Sequence, residues 1–302
     1  MRKIERVWIC FGSEIAYGLA VSACGKRIQA KFDALEADDV RGILLLQIFY
    51  YEGVSWLWRG EFWFVITLAI DTCESRGSVA LRRDGAPVAA RGHSEGIDYS
   101  AWLLPSVEQV LSEAGTRLER VDLFAVATGP GSFTGLRVGL TTVKAWAEVY
   151  GKSTVGVSRL EAIAASLNAR LEFMAASYDA GRGQLFGALY RRISGTLSRL
   201  GDERVSSPEE FVEWVEREAR QDPVCWVSLD PGLTQNLEKL KVRTASGDTV
   251  HTCTAELASV IGALAEERAA RGDFSDPLLL DANYVRRSEA EILWKEPAAH
   301  VR

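Results

Sequence analysis

The sequence predicts an α/β protein built as two lobes. From Ile66 onward, short apolar runs alternate with helical patterns. A glycine-rich turn, Gly129-Pro130-Gly131-Ser132-Phe133-Thr134-Gly135, sits between a buried-strand pattern and a helix. A second round with the same order begins near Phe173.

In the first round, Leu68–Asp71 is an apolar run suited to a buried strand. Ser78–Arg82 and Pro87–Arg91 follow, split by the turn signal Asp84-Gly85, and complete a meander. Residues 101–114 place Leu103, Leu104, Val107, Val110 and Leu111 at helical spacing. Leu123–Ala127 is the next strand, Arg137–Tyr150 a helix, Thr154–Val157 a strand and Arg159–Ala169 a helix. In the second round, Phe173–Tyr178 ends in Asp179, a Gly/Arg turn follows, and Gln184–Tyr190 returns. Asp71 and Asp179 stand 108 residues apart, each closing an apolar strand before such a turn, which reads as an internal duplication of a βββαβα unit. Pro208–Arg217 reads as a helix, Val224–Ser228 as a strand, Ala255–Arg271 as a helix and Asp281–Arg287 as an extended segment.

Residues 1–64 read differently. They hold four of the nine tryptophans (Trp8, Trp56, Trp58 and Trp63), with poor periodicity and few turn signals. Val65 stands where a start residue would be expected, so this stretch reads as an atypical extension, with native translation expected from about Val65. The division is thus 1–64 for the extension, 65–170 for the first lobe and 171–302 for the second lobe with the C-terminal segment.

The chain has 302 residues, enough for two lobes with a real core, and its 47% hydrophobic and 25% charged content is ordinary for a globular protein. Residues 1–65 are charge-balanced, so the net charge of −6 belongs to the rest. A domain gripping nucleic acid alone would show a basic surplus, so RNA contact is expected through a complex. Five scattered cysteines without a C-x-x-C pair indicate single thiols in a reducing, cytoplasmic setting. No signal-peptide order opens the chain, and Glu52, Arg59 and Glu61 interrupt the apolar stretch 43–70, so no membrane span is expected.

The glycine-rich turn precedes a helix, where backbone N–H groups lack intrahelical partners. It suits an anion or a closely packed neighbour. It is no P-loop, because no Gly-Lys-Ser/Thr follows it and the next lysine after the turn is Lys144. Asp71 and Asp179 could face each other across a cleft and hold magnesium, or each could cap its own turn. Glu74, after Asp71, would repel phosphate. His93, His251 and His300 are not at metal-ligand spacing, and no G-x-S-x-G elbow is present, so neither a metal nor a nucleophile is expected. The helices 101–114 and 137–150 are apolar on more than one face. This predicts burial on two sides, one against the sheet and one against a partner or the other lobe. Trp102, Leu103, Val107, Val110, Leu140, Val143 and Ala147 are the candidate partner surface.

Several segments, in this order, resemble the TsaB (YeaZ) family: Leu68-Ala69-Ile70-Asp71-Thr72; Leu104-Pro105; Gly129 to Gly135 continuing through Leu136-Arg137-Val138-Gly139; the hairpin at Asp179-Ala180-Gly181-Arg182; and Tyr284-Val285-Arg286-Arg287. The resemblance implies a duplicated actin-like, Hsp70-like (ribonuclease H-like) fold. It also implies a non-catalytic subunit of the machinery that makes N6-threonylcarbamoyladenosine at position 37 of tRNAs reading codons that begin with A. The implied partners are a TsaD-like catalytic paralogue, which carries the histidine pair for a metal, and a TsaE-like ATPase, with tRNA met only through the complex. The pairing would use the two helices of the first lobe, with a homodimer as the alternative pairing. A nucleotide at a shared interface is left open. The chain departs from the paralogue at Asp98-Tyr99-Ser100-Ala101-Trp102, where histidines would stand. It also departs at Ser228-Leu229-Asp230-Pro231-Gly232, which lacks a Gly-x-Gly adenosine loop. The competing function is a stand-alone ATPase or kinase of the actin-like superfamily using Asp71 and Asp179.

Overall fold

A computed structural model describes residues 65–285, except 94–95, 168, 170, 194, 221 and 231–246. Before residue 65 it describes five strands only. Contacts divide the chain into two units, Met1–Val65 and Ile66–Arg302. In the first unit, β1 (Glu5–Phe11), β2 (Glu14–Ala20) and β3 (Asp33–Ala34) form an antiparallel sheet. β4 (Ile43–Tyr51) and β5 (Val54–Phe62) form a hairpin.

The second unit contains two five-stranded sheets. The first comprises β6 (Ile66–Asp71), β7 (Ser78–Arg83), β8 (Ala86–Gly92), β9 (Leu123–Gly129) and β10 (Ser153–Ser158), in the order β10-β9-β6-β7-β8. The second comprises β11 (Phe173–Gly181), β12 (Gln184–Ile193), β13 (Thr196–Ser206), β14 (Val224–Ser228) and β15 (Thr249–Thr252), in the order β13-β12-β11-β14-β15. Read from the other edge, the second sheet repeats the first strand for strand. Each has an antiparallel meander of three strands and two further strands parallel to the first. This is the duplicated actin-like α/β fold that the two rounds of sequence predict. Two strands of this unit escape the sequence reading. β13 is half exposed along its length, and β15 has only four residues, so neither shows an apolar run.

Helices α1 (Tyr99–Glu113) and α2 (Phe133–Tyr150) cover one face of the first sheet. Strand alternation fixes the sides. A methyl group at Gly139 of α2 would meet the Ile70 and Val126 side chains at 3.6 Å, whereas one at Gly262 would meet Ala69 Cβ at 3.3 Å. Gly262 belongs to α5 (Ala258–Ala270), which therefore covers the opposite face of the first sheet. Residues 258–270, assigned by chain order to the second lobe, thus complete the first.

Helix α3 (Arg159–Ala165) lies between the sheets and touches β9 and β10 on one side and β11 to β14 on the other. Helix α4 (Pro208–Glu218) has Ser207 as N-cap in a complete capping box with Glu210, and Pro208 opens it. It buries Phe211, Trp214 and Val215 against Phe173, Ala175, Leu189 and Trp226. Among the described residues, no helix is long and apolar enough to cross a membrane.

Candidate functional site

The glycine-rich turn packs against the loop that follows β6. Ser132 N donates to Cys73 O at 2.6 Å, and Thr72 Oγ1 donates to Gly135 O at 2.7 Å. A Cβ at Gly131 would lie 2.2 Å from Cys73 O, and one at Gly135 would lie 2.1 Å from Thr72 O. Both positions therefore need glycine because backbone meets backbone there. The helix begins four residues earlier than the sequence pattern suggests. Ser132 is its N-cap, accepting from Gly135 N at 3.4 Å, and Phe133, Thr134, Gly135 and Arg137 already lie on α2. Gly129 and Pro130 end the strand side, and Pro130 O accepts from Tyr178 Oη, a contact from the second sheet.

Asp71 and Asp179 have different surroundings. Asp71 is wholly buried. Its Oδ2 accepts from Arg159 Nε at 2.9 Å and its Oδ1 from Cys73 N at 2.9 Å. Asp179 is exposed and caps its own turn, accepting from Gly181 N at 2.7 Å. The two carboxylates are not presented as a matched pair for magnesium, because the Arg159 guanidinium holds one of them. Among the described residues, no group of three or more His, Cys, Asp or Glu side chains is placed to hold a metal ion.

Arg159 was invisible as a site residue in the sequence. It is the first residue of α3, wholly buried, with Nη2 on Glu74 Oε1 at 3.0 Å and Cζ 4.7 Å from the Tyr178 ring centroid. Burial opposes its charge, but its neighbours, Asp71 foremost, more than offset this and hold it above its ordinary pKa. Burial, reinforced by Asp71, pushes the Cys73 thiol up, so it stays protonated. From Glu74 the polar chain crosses to the second lobe. Arg76 Nη2 reaches Glu74 Oε1 at 3.0 Å and Asp230 Oδ1 at 2.8 Å, and Asp230 Oδ2 accepts from Asp179 N at 2.9 Å. The Arg76–Asp230 ion pair thus bridges the two lobes.

A second junction lies at Glu203 on β13. Its carboxylate accepts from Ser158 Oγ, from Asn283 Nδ2 at 2.5 Å and from Tyr190 Oη at 3.4 Å, with Arg199 Nη1 at 3.4 Å. Burial raises its pKa. It joins the end of β10, the second sheet and the C-terminal segment.

The helix surface needs correction. Trp102, Leu103, Val107, Val110, Leu140, Val143 and Ala147 are all buried inside this chain, so they offer no free surface to a partner. They fill the space between helices and sheet. The large apolar residues of these helices left to solvent are Leu104 on α1, 56% exposed, Val149 near the end of α2, 73% exposed, and Phe133 at its start. Leu104, Glu108, Leu111, Leu118 and Trp146 line an open groove of about 480 Å³ beside α1 and α2. His93 lies half buried at the start of this region, stacked on Tyr99 with centroids 4.2 Å apart.

A duplicated actin-like fold with a glycine turn clamped under its first helix pair defines a class, and comparison with known proteins gives the family. The family model for TsaD, tRNA N6-adenosine threonylcarbamoyltransferase, matches residues 87–271. The TsaB protein of Bacillus subtilis, named for tRNA threonylcarbamoyladenosine biosynthesis, is 28% identical over 231 residues, covering 76% of this chain and 97% of that one. Its Escherichia coli namesake is 32% identical over 169 residues, covering 55% of this chain and 71% of that one. A solved structure from Pseudomonas aeruginosa, described as similar to peptidase YeaZ, superposes with a TM-score of 0.60 at 26% identity, covering 74% of this chain and all of that one. The chain belongs to the TsaB (YeaZ) family, within the wider group that the TsaD model describes.

Proposed function

We propose that this chain is a non-catalytic partner subunit in the synthesis of N6-threonylcarbamoyladenosine at position 37 of tRNAs. It binds a TsaD-like catalytic paralogue in the cytoplasm and stabilises its active form. A TsaE-like ATPase joins the assembly, and tRNA is engaged through the complex. The observation that carries this reading is the outer side of α1 and α2, where exposed Leu104 lines an open groove with Leu111, Leu118 and Trp146, and Val149 stands exposed near the end of α2. The names of the TsaB relatives supply the pathway, and the TsaD match supplies the kind of partner. The same face could pair two copies of this chain when the paralogue is absent. The Arg159–Asp71 pair also supports the reading, since it occupies a carboxylate that a stand-alone ATPase or kinase would need for metal.

The test is a double change, Leu104→Glu with Val149→Glu, in a reconstituted threonylcarbamoylation assay. Both positions are exposed, so the fold should keep its melting temperature. Complex formation and activity should fall tenfold or more, because a charge is forced into an apolar contact. A complex of unchanged affinity and activity would remove the proposal.

A further inference from the structure

Phe133, the first residue of α2, and Tyr284 are each 41% exposed, with ring centroids 5.3 Å apart and planes tilted by 34°. Arg137, one turn along α2, is also exposed. Its Cζ lies 3.7 Å from the Phe133 centroid, and its Nε donates to Tyr284 Oη at 3.3 Å. None of the three belongs to the set through which α2 packs on its sheet, which is Gly135, Leu136, Gly139, Leu140, Val143 and Ala147. The packing of α2 gives no reason for two aromatic rings and a guanidinium to meet at the surface.

The cluster is held in place from behind. Asn283 N donates to Thr128 O at 2.7 Å, Asn283 Nδ2 reaches the Glu203 carboxylate, and Lys144 Nζ donates to Leu280 O at 3.0 Å. Tyr284 is therefore delivered to α2 by a segment tied to both lobes, and little ordering remains to be lost on binding. α2 itself carries Arg137 and Lys144 against the single acidic residue Glu148.

Exposed aromatic rings with a guanidinium seated over one of them, 3.7 Å from its centroid, match the π-face of an unpaired nucleobase. A neighbouring phosphate would meet the cation. An aliphatic protein partner would use the rings as apolar bulk and gain nothing from the arginine over the ring. We infer that Phe133, Arg137 and Tyr284 form a stacking platform for an unpaired base of the tRNA acted on by the complex. The inference rests on the tRNA-modification reading above and gives this subunit a direct RNA contact.

The experiment uses the full chain in complex with its TsaD-type partner and a fluorescein-labelled tRNA transcript, read by anisotropy at several salt concentrations. Phe133→Leu with Tyr284→Leu keeps apolar bulk and removes stacking, and it should weaken tRNA binding about tenfold or more. Phe133→Trp and Tyr284→Phe should bind as the unchanged protein does. Arg137→Gln should weaken binding and lower the salt slope by about one. Leucine variants that form an active complex and bind tRNA normally would overturn the platform while leaving the subunit reading intact. Leucine variants that instead break the protein complex would mark the surface as a protein contact and also overturn it. If the unchanged chain forms no active complex with the partner, the subunit reading fails, and the platform fails with it.

Discussion

The loops after β6 and β11 begin alike and end in different chemistry. Each follows a buried strand and opens with an aspartate near the lobe interface. In the first lobe, Asp71 is sealed under the glycine-rich turn and neutralised by Arg159, and Thr72 and Cys73 are pinned to α2. In the second, Asp179 stays in solvent, its side chain caps its own turn and its N–H donates to Asp230. Duplication supplied the same backbone twice, and only the first copy was converted into a clamp. The first lobe is thereby made rigid around the base of α2, the helix on which the proposed partner face and stacking platform both sit.

Arg159→Met should show the largest effect. It leaves the Asp71 carboxylate buried without its cation, and breaking such a pair costs about 3–5 kcal/mol. Urea denaturation should show a large fall in midpoint, partly recovered when Asp71→Asn is added. A small change would mean that the first loop is no more a clamp than the second.

Glu203→Gln should cost less, about 1–3 kcal/mol, since one amide oxygen cannot replace all the contacts of the carboxylate. Its signature is in the pH dependence. The folded pKa of Glu203 is raised, so the folded state holds its proton where the unfolded chain, titrating near about 4.3, has released it. This carboxyl therefore lowers stability as pH rises from about 4.3 through its folded value. Denaturation midpoints measured across that window should decline in the native chain from this source, and the glutamine variant should lack that part of the decline.

The smallest effect belongs to Asp179→Ala. An exposed turn aspartate should contribute under about 1 kcal/mol, near the limit of a denaturation curve. A loss as large as that of Arg159→Met would erase the distinction between the two loops.

The difference between the lobes was only half legible in the sequence. Apolar runs such as Leu68–Asp71 and Val224–Ser228 announce buried strands, and the recurrence of Asp71 at Asp179 announces duplication. What surrounds each aspartate is set by residues 88 or 51 positions away, Arg159 and Asp230, and no local pattern carries that information. The helix faces misled for a related reason. A helix buried on two sides looks the same whether the second cover is a sheet, a neighbouring helix or another protein. Val143 and Ala147 therefore read as partner contacts when they are core, and Leu104 and Val149 are among the residues left outside. The aromatic pair Phe133 and Tyr284 is joined only by folding, and neither residue stands out alone.

The proposed function stands on the first lobe presenting α1 and α2 to a catalytic partner. Hydrogen–deuterium exchange on the full chain, alone and with its TsaD-type paralogue, tests it most directly. Slowed exchange is expected along residues 104–113 and the C-terminal half of α2, with the amides of α4 and β13 unchanged. Protection confined to the second lobe, with α1 and α2 exchanging as in the free chain, would contradict it.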